Sequence, residues 1–250
     1  MKKLSLKIIT LIITLATVLT PAVHAVSVSE SCPKTTDSTA CKTSQTQTTT
    51  NDQTRLTNLE TRGSAEINRR LVSLNTLTSV ISGTSKLSTE DKTSLTAEVA
   101  STVSGLTDLN TKLSNDSTLS DARTDVQSII TGYRVYALIG PKVRLIASND
   151  NQQVIAEKQL AIIAKIQTAL DAKKANTDLE ARLISVKAIA KNSTNVSESL
   201  KTKLLALQPS DYNSDHSVMS TYRDQLKTNH TSLENSAANL KKIVADLKSL

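Results

Sequence analysis

An all-α fold, an elongated and coiled-coil-like bundle of about six helices, is predicted by three observations. Glycine and proline are scarce, five and four in 250 residues. From about Asp52 to the C-terminus apolar residues recur at three- and four-residue steps, with almost no strand-like alternation. The last stretch repeats an apolar side chain every seven residues, at Met219, Leu226, Leu233, Leu240 and Leu247, which is the seam of a coiled coil or a bundle helix. There is no Trp and no Phe, and only four Tyr. A core of Leu, Ile, Val and Ala suits long helices laid side by side better than a compact globule around a pocket.

The chain opens MKKLSLKIITLIITLATVLTPAVHA. Lys2, Lys3 and Lys7 form a positive region, Ile8 to Leu19 an apolar one, and Val23-His24-Ala25 a cleavage site. Residues 1–25 therefore read as a secretory signal peptide cut after Ala25. Pro21 and His24 interrupt the apolar run, which falls short of the ~20 residues of a membrane span, so cleavage is favoured over retention as an anchor. No later segment is apolar enough to cross a bilayer, and the mature chain is expected at the cell surface, in the periplasm or secreted. Removing the three leader lysines leaves 27 basic against 23 acidic side chains, a net +4. That balance permits weak binding to anionic envelope polymers. It does not indicate nucleic acid, because the basic residues are not clustered with stacking aromatics.

Residues 26–51 are rich in Thr and Ser, lack apolar periodicity and read as a disordered tail. Cys32 and Cys41, the only cysteines, lie there. In an oxidising compartment they are expected to form a disulfide closing a small loop.

The bundle domain is expected over 52–250. Its first helix, about Asp52 to Ile81, carries Leu56, Leu59, Ile67, Leu71, Leu74, Leu77 and Ile81 on one stripe. Gly63 falls on that stripe, where it would let a neighbour approach. Arg55, Arg62 and Arg69 flank it at spacings of seven, and Glu66 can pair Arg70 four residues on. Such a row grips phosphates or carboxylates, or is simply a solvated flank. Ser88 is the predicted N-cap of the second helix, whose seam is Leu95, Val99, Val103, Leu106, Leu109 and Leu113. A third helix starts near Ser120 and enters GYRVYALIGPKVRL, residues 132–145. Gly140-Pro141 is a poor hairpin turn, and the helical register continues across it, so a kink at Gly140 and Pro141 is predicted. The fourth helix follows through Leu170. The fifth, about Asp178 to Leu207, has Ser193 and Ser197 on its seam, where weak packing or a break is expected. In the last helix, about Asp215 to Leu250, Tyr222 and Asn229 occupy companion seam positions, and a buried Asn229 amide would fix register or partner number.

Familiar chemistries are sparse. Beyond the leader only His216 and His230 remain, and the cysteines are expected to be paired, so no metal or cofactor site is predicted. No Gly-x-Ser-x-Gly elbow, phosphate-cradling loop or dinucleotide fingerprint occurs. Catalytic residues are not assigned.

Three stretches carry a resemblance: TRLTNLETRGSAEINRRLVSLNTL, YRVYALIGPKVRLIAS, and PSDYNSDHSVMSTYRDQLKTNHTSLENSAANLKKIVADLK. Together, across most of 52–250, they resemble a group of uncharacterised secreted all-helical proteins of small-genome, candidate-phylum bacteria. The resemblance implies export and a helical body, and it carries no activity or site residue.

The expected function is that of an exported, non-enzymatic structural or interaction module, packing its last helix within the chain or against a protein partner or second copy. A membrane-active, pore-forming protein is the alternative, with Ile129 to Ile146 as an inserting tongue; Arg134, Lys142 and Arg144 would be costly in hydrocarbon. A hydrolase of envelope polymers is a third reading.

Overall fold

Helix-compatible sequence continues N-terminal to Asp52, and in the computed structural model the first helix, α1, runs from Ser38 to Gly83. Residues 38–173 and 177–249 are described. The signal peptide and Cys32 lie outside them, as does the Cys41 side chain, so the disulfide falls beyond what is described. The predicted tail is corrected in part: 38–51 is helical. No glycine or proline interrupts 38–62, and a helix nucleated by packing at Leu56 and Ile67 extends by one hydrogen bond per residue. The chain divides after Thr46 into two units, and the helical bundle belongs to the second, residues 47–250.

Six further α-helices follow: α2 (Thr89–Leu113), α3 (Leu119–Thr131), α4 (Gly140–Ala172), α5 (Thr177–Ala206), the short α6 (Pro209–Ser214) and α7 (Val218–Lys248). No strand occurs among the described residues, and the architecture is an all-α bundle. The Ser88 cap forms as expected, accepting from the Asp91 N–H at 3.1 Å. The Asp91 carboxylate bonds the Ser88 hydroxyl, while the Ser88 N–H donates to Asp150 of α4 at 2.9 Å. A local cap is thereby tied to a distant helix.

In α1, Leu56, Ile67, Leu74 and Ile81 are buried, and Leu59, Leu71 and Leu77 pack around them. Gly63 does what its position suggested. A Cβ there would meet Leu113 Cδ2 at 2.5 Å and Val126 Cγ2 at 3.0 Å, and Leu113 has no exposed surface into which to move. Gly63→Ala is therefore expected to destabilise the protein by about 1 kcal/mol, the overpacking cost exceeding the gain in helix propensity. A urea midpoint equal to or above that of the parent would contradict this.

The predicted kink at Gly140-Pro141 is displaced. α3 ends at Thr131, and the chain breaks at Arg134, whose φ of 44° and ψ of 37° put a non-glycine residue in the left-handed region. Val135–Ile139 then form a π-helical turn, in which the Gly140 N–H reaches back five residues to the Val135 carbonyl. Gly140 and Pro141 open α4 with helical geometry. Proline is accommodated there because its fixed φ is helical and it has no N–H to place where the π-turn hands over to α4. The strain is borne upstream, where Arg134 Nε donates to Asn213 Oδ1 at 2.6 Å and the guanidinium lies 5.4 Å from the Tyr212 ring centroid.

Far from projecting, this segment is core. Ile129, Val135, Leu138, Ile139, Val143 and Ile146 are buried in one cluster with residues of α1, α2, α5 and α7. Tyr133 sits against Gly105 of α2. Tyr136 remains half exposed, its hydroxyl 3.2 Å from that of Ser73 and its ring beneath the Arg70 guanidinium. Lys142 has no exposed surface; its ammonium donates to Glu98 Oε1 and to the Leu207 carbonyl, both at 2.7 Å.

Helices α4, α5 and α7 form a three-helix bundle in which each packs on the other two. α4 and α7 run parallel: Gln152 Nε2 donates to the Leu226 carbonyl, Gln159 Nε2 to Leu233, and Lys173 Nζ to Leu247. These rungs advance in step on both helices by whole heptads. Leu170 packs with Leu179 near one end, and Asn149 Nδ2 bonds the Ser197 carbonyl farther along, so α5 runs antiparallel to both. The break expected at Ser193 and Ser197 is absent. α5 is continuous, and both serines are buried. The small Ser197 side chain leaves room for an amide from a neighbour: Asn229 Nδ2 lies 2.9 Å from Gln152 Oε1 and 3.3 Å from Ser197 Oγ.

Candidate functional site

The sequence singled out the α7 seam, and the structure spends it internally. Met219, Leu226, Asn229, Leu233, Leu240 and Leu247 are all buried, and Tyr222 is half-buried. They face α4 and α5. The Asn229 amide is used inside the chain, bonding Gln152 and Ser197. Any pairing with a second copy would have to use the outer face of α7.

A parallel pair of helices leaves a groove along its outer edge, and here that groove is basic. At its wide end, about 510 Å³, it lies between the start of α4 and the α6–α7 segment. Ala137, Pro141, Leu145 and Met219 supply apolar surface, while Arg144, Arg223 and His216 bring charge or the capacity for it. A narrower stretch of about 270 Å³ shares Leu145 and Arg223 and adds Lys227, His230, Ser148 and Asn151. Neither stretch has a carboxylate in its lining. Among the described residues no ion pair within 4.0 Å is made by Arg144, Arg223 or Lys227.

Local sequence explains this placement. Arg223 and Lys227 are four apart on α7 and flank the Met219–Leu226 seam; Arg144 is one turn into α4 beyond Pro141. The mouth is held by α6. Arg134 grips Asn213, Asn213 Nδ2 donates to the Thr131 carbonyl at 2.8 Å, and the Tyr212 and His216 rings meet edge to face at 5.1 Å. Asp215, next to His216, is turned to its own backbone. Hydrogen bonds from the Ser217 hydroxyl and N–H hold its carboxyl below the usual range, with a smaller contribution from His216.

Both described histidines thus lie on one groove, but neither is set up as a base for a nucleophile. His216 contacts an aromatic edge, and His230 Nε2 is 3.3 Å from the Glu234 carboxylate. Among the described residues no group of three or more His, Cys, Asp or Glu converges to hold a metal ion. No described helix is long and apolar enough to cross a membrane. What the groove offers is positive charge beside apolar surface.

Two other hollows differ in chemistry. One between α5 and α7, about 580 Å³, is polar, with Asp224 as its one charged side chain. The other, about 230 Å³, gathers Arg55 and Arg62 of α1 with Arg123 of α3. It draws two members of the predicted arginine row together, while Arg69 and Arg70 both turn to Glu66.

No protein-family model, curated protein or solved structure matches this chain.

Proposed function

We propose that this chain is an exported, non-enzymatic interaction module that holds an anionic partner in its α4–α7 groove, at the cell envelope or outside the cell. The lysine-led leader and the resemblance to secreted helical proteins support the location. The observation that carries the binding reading is the groove itself, where Arg144, Arg223 and Lys227 face a lining without a carboxylate. Basic side chains on a protein surface ordinarily lie among acidic ones, and a groove lined by one sign of charge concentrates counter-ions of the other.

The test is co-sedimentation of the chain from Val26 onward with isolated envelopes of the source organism. Binding is expected at low salt and is expected to fall steeply toward 1 M, where the screening length shrinks to about 3 Å. An R144Q/R223Q/K227Q variant should bind weakly at every salt concentration. Salt-resistant binding that the triple variant retains would overturn the reading, as would no binding at any salt.

A further inference from the structure

We infer that the wide end of the α4–α7 groove is a pocket for an amphipathic anion, a single carboxylate or phosphate head on an apolar body. The inference rests on the proposed reading that this groove takes an anionic partner, and it specifies the chemistry of that partner.

The two stretches of the groove differ chiefly in size. Alongside its basic residues the narrow one, about 270 Å³, has Ser148 and Asn151 beside Leu145 and Leu226 and leaves little room for an apolar body; the Gln152 amide is spent on the Leu226 carbonyl and Asn229. The wide one presents Ala137, Pro141, Leu145 and Met219, with Tyr212 at its edge. A bare polyanion would gain nothing from that apolar surface, whereas an alkyl or acyl body would remove it from water. The volume, about 510 Å³, falls within the ~300–1,000 Å³ of ordinary small-molecule sites. Met219 is buried at the base, and an unbranched thioether side chain adapts to bodies of different shape.

The head group is addressed from two sides. Arg144 stands on α4 and Arg223 on α7, and neither has an acidic partner among the described residues. Guanidinium forks match carboxylate and phosphate oxygens in pairs, so an arginine from each helix favours the charged end of the ligand. The pocket entrance is set by the π-turn and by the Arg134–Asn213 bond that anchors α6. The strained Arg134 thus shapes the site without touching its occupant.

The chain carries its own probe. Met219 is the only methionine besides Met1, so a methyl-labelled sample reports on the pocket through one resonance once the leader is removed. Decanoate, decyl phosphate, decanol and inorganic phosphate would be titrated separately below their aggregation limits. Decanoate and decyl phosphate are expected to shift the Met219 methyl resonance saturably, and the better of the two identifies the head group. R144Q/R223Q should weaken that binding at least about tenfold, the loss of a charge-assisted contact; both arginines are exposed, so the fold should be kept. Met219 unmoved by either amphiphile at millimolar concentration would overturn the inference, and so would decanol binding as tightly as decanoate or full binding by the double variant. Envelope binding that persists while Met219 ignores both amphiphiles would sink this pocket and leave the broader reading standing. Saturable decanoate binding without envelope binding would do the reverse.

Discussion

Exchange of Lys142 for methionine is expected to destabilise the protein by about 3–5 kcal/mol, the range found when one partner of a buried ion pair is removed. The ammonium has no exposed surface and has two partners at 2.7 Å, Glu98 Oε1 of α2 and the carbonyl of Leu207 just beyond α5. That carbonyl is one of the orphan acceptors at a helix C-terminus, where a positive charge is also favoured by the helix dipole. Methionine fills the space but leaves the carbonyl unpaired and strands the Glu98 charge. Glu98 is 28% exposed and can recover part of its hydration, which puts the expected loss toward the low end. Glu98→Leu should cost more, because it abandons a charge that water cannot reach. The E98L/K142M double variant should be less damaged than the sum of the singles by at least about 1 kcal/mol. Urea unfolding of all four proteins decides it: a K142M loss below about 1 kcal/mol, or strictly additive singles, would show that this contact does not support the fold.

Lys142 also marks where sequence reading stopped. Its neighbourhood reads as an apolar run broken by cations, and those cations were reason enough to doubt a membrane tongue. Nothing in the spacing shows that one of them is fully buried, because its partners lie 44 and 65 residues away. The same limit applies to α4. The α7 heptad was legible because each seam residue is itself apolar. Gln152 and Gln159 occupy buried positions on α4, but their main acceptors are backbone carbonyls of Leu226 and Leu233, and a backbone acceptor leaves no mark in the sequence. Ser193 and Ser197 looked like packing defects for that reason. Ser197 is a small position beside the Asn149 and Asn229 amides, and Ser193 is simply buried.

The displaced kink has a related cause. Proline and glycine punctuate chains strongly enough that Gly140-Pro141 drew the break to itself. Proline is equally suited to the start of a helix, and the break moved upstream to Arg134, a residue with no turn signature, held there by Asn213 and Tyr212. The groove was least legible of all. In the sequence Arg144 reads as a cost to membrane insertion, His216 and His230 as too few for a metal site, and Arg223 carries no signal at all. That they share an edge depends on the parallel register of two helices some seventy residues apart, and that register is set by the amide rungs.

Loss of the Lys201 charge should give the second large effect, and one that depends on pH. Its ammonium lies 2.7 Å from both Asp91 Oδ2 of α2 and Asp150 Oδ1 of α4, with both carboxylates nearly buried. Burial acts to lower the Lys201 pKa, and the two aspartates outweigh it, so the pKa is raised. The aspartates divide. Burial pushes Asp91 up, but hydrogen bonds from Asp150, Lys201 and Ser88 bring it below the usual carboxylate range. Burial also pushes Asp150 up, and there the neighbouring Asp91 adds to the rise, which Lys201 and the Ser88 N–H do not cancel. The signs follow by linkage. Asp91 contributes stability that is present above the ordinary carboxylate range and is lost as pH falls through its lowered value. Asp150 holds its proton longer in the fold than in the unfolded chain, so stability falls as pH rises from the ordinary range through its raised value. Removing the ammonium as Lys201→Met takes away a contact that lowers both carboxyls and leaves two like charges face to face. Because Lys201 is 24% exposed, the expected cost at pH 7 is about 3 kcal/mol, at the low end for a broken buried pair. It should shrink by at least half near about pH 4, where a carboxylate takes up its proton. Asp150→Asn should cost less than Asp91→Asn at neutral pH, and Asp150→Asn added to Lys201→Met should restore part of the loss by removing one of the two charges. Urea midpoints at both pH values test all of this: a K201M penalty equal at pH 7 and pH 4, unrelieved by Asp150→Asn, would mean that Lys201 supports the helices by packing and not by charge.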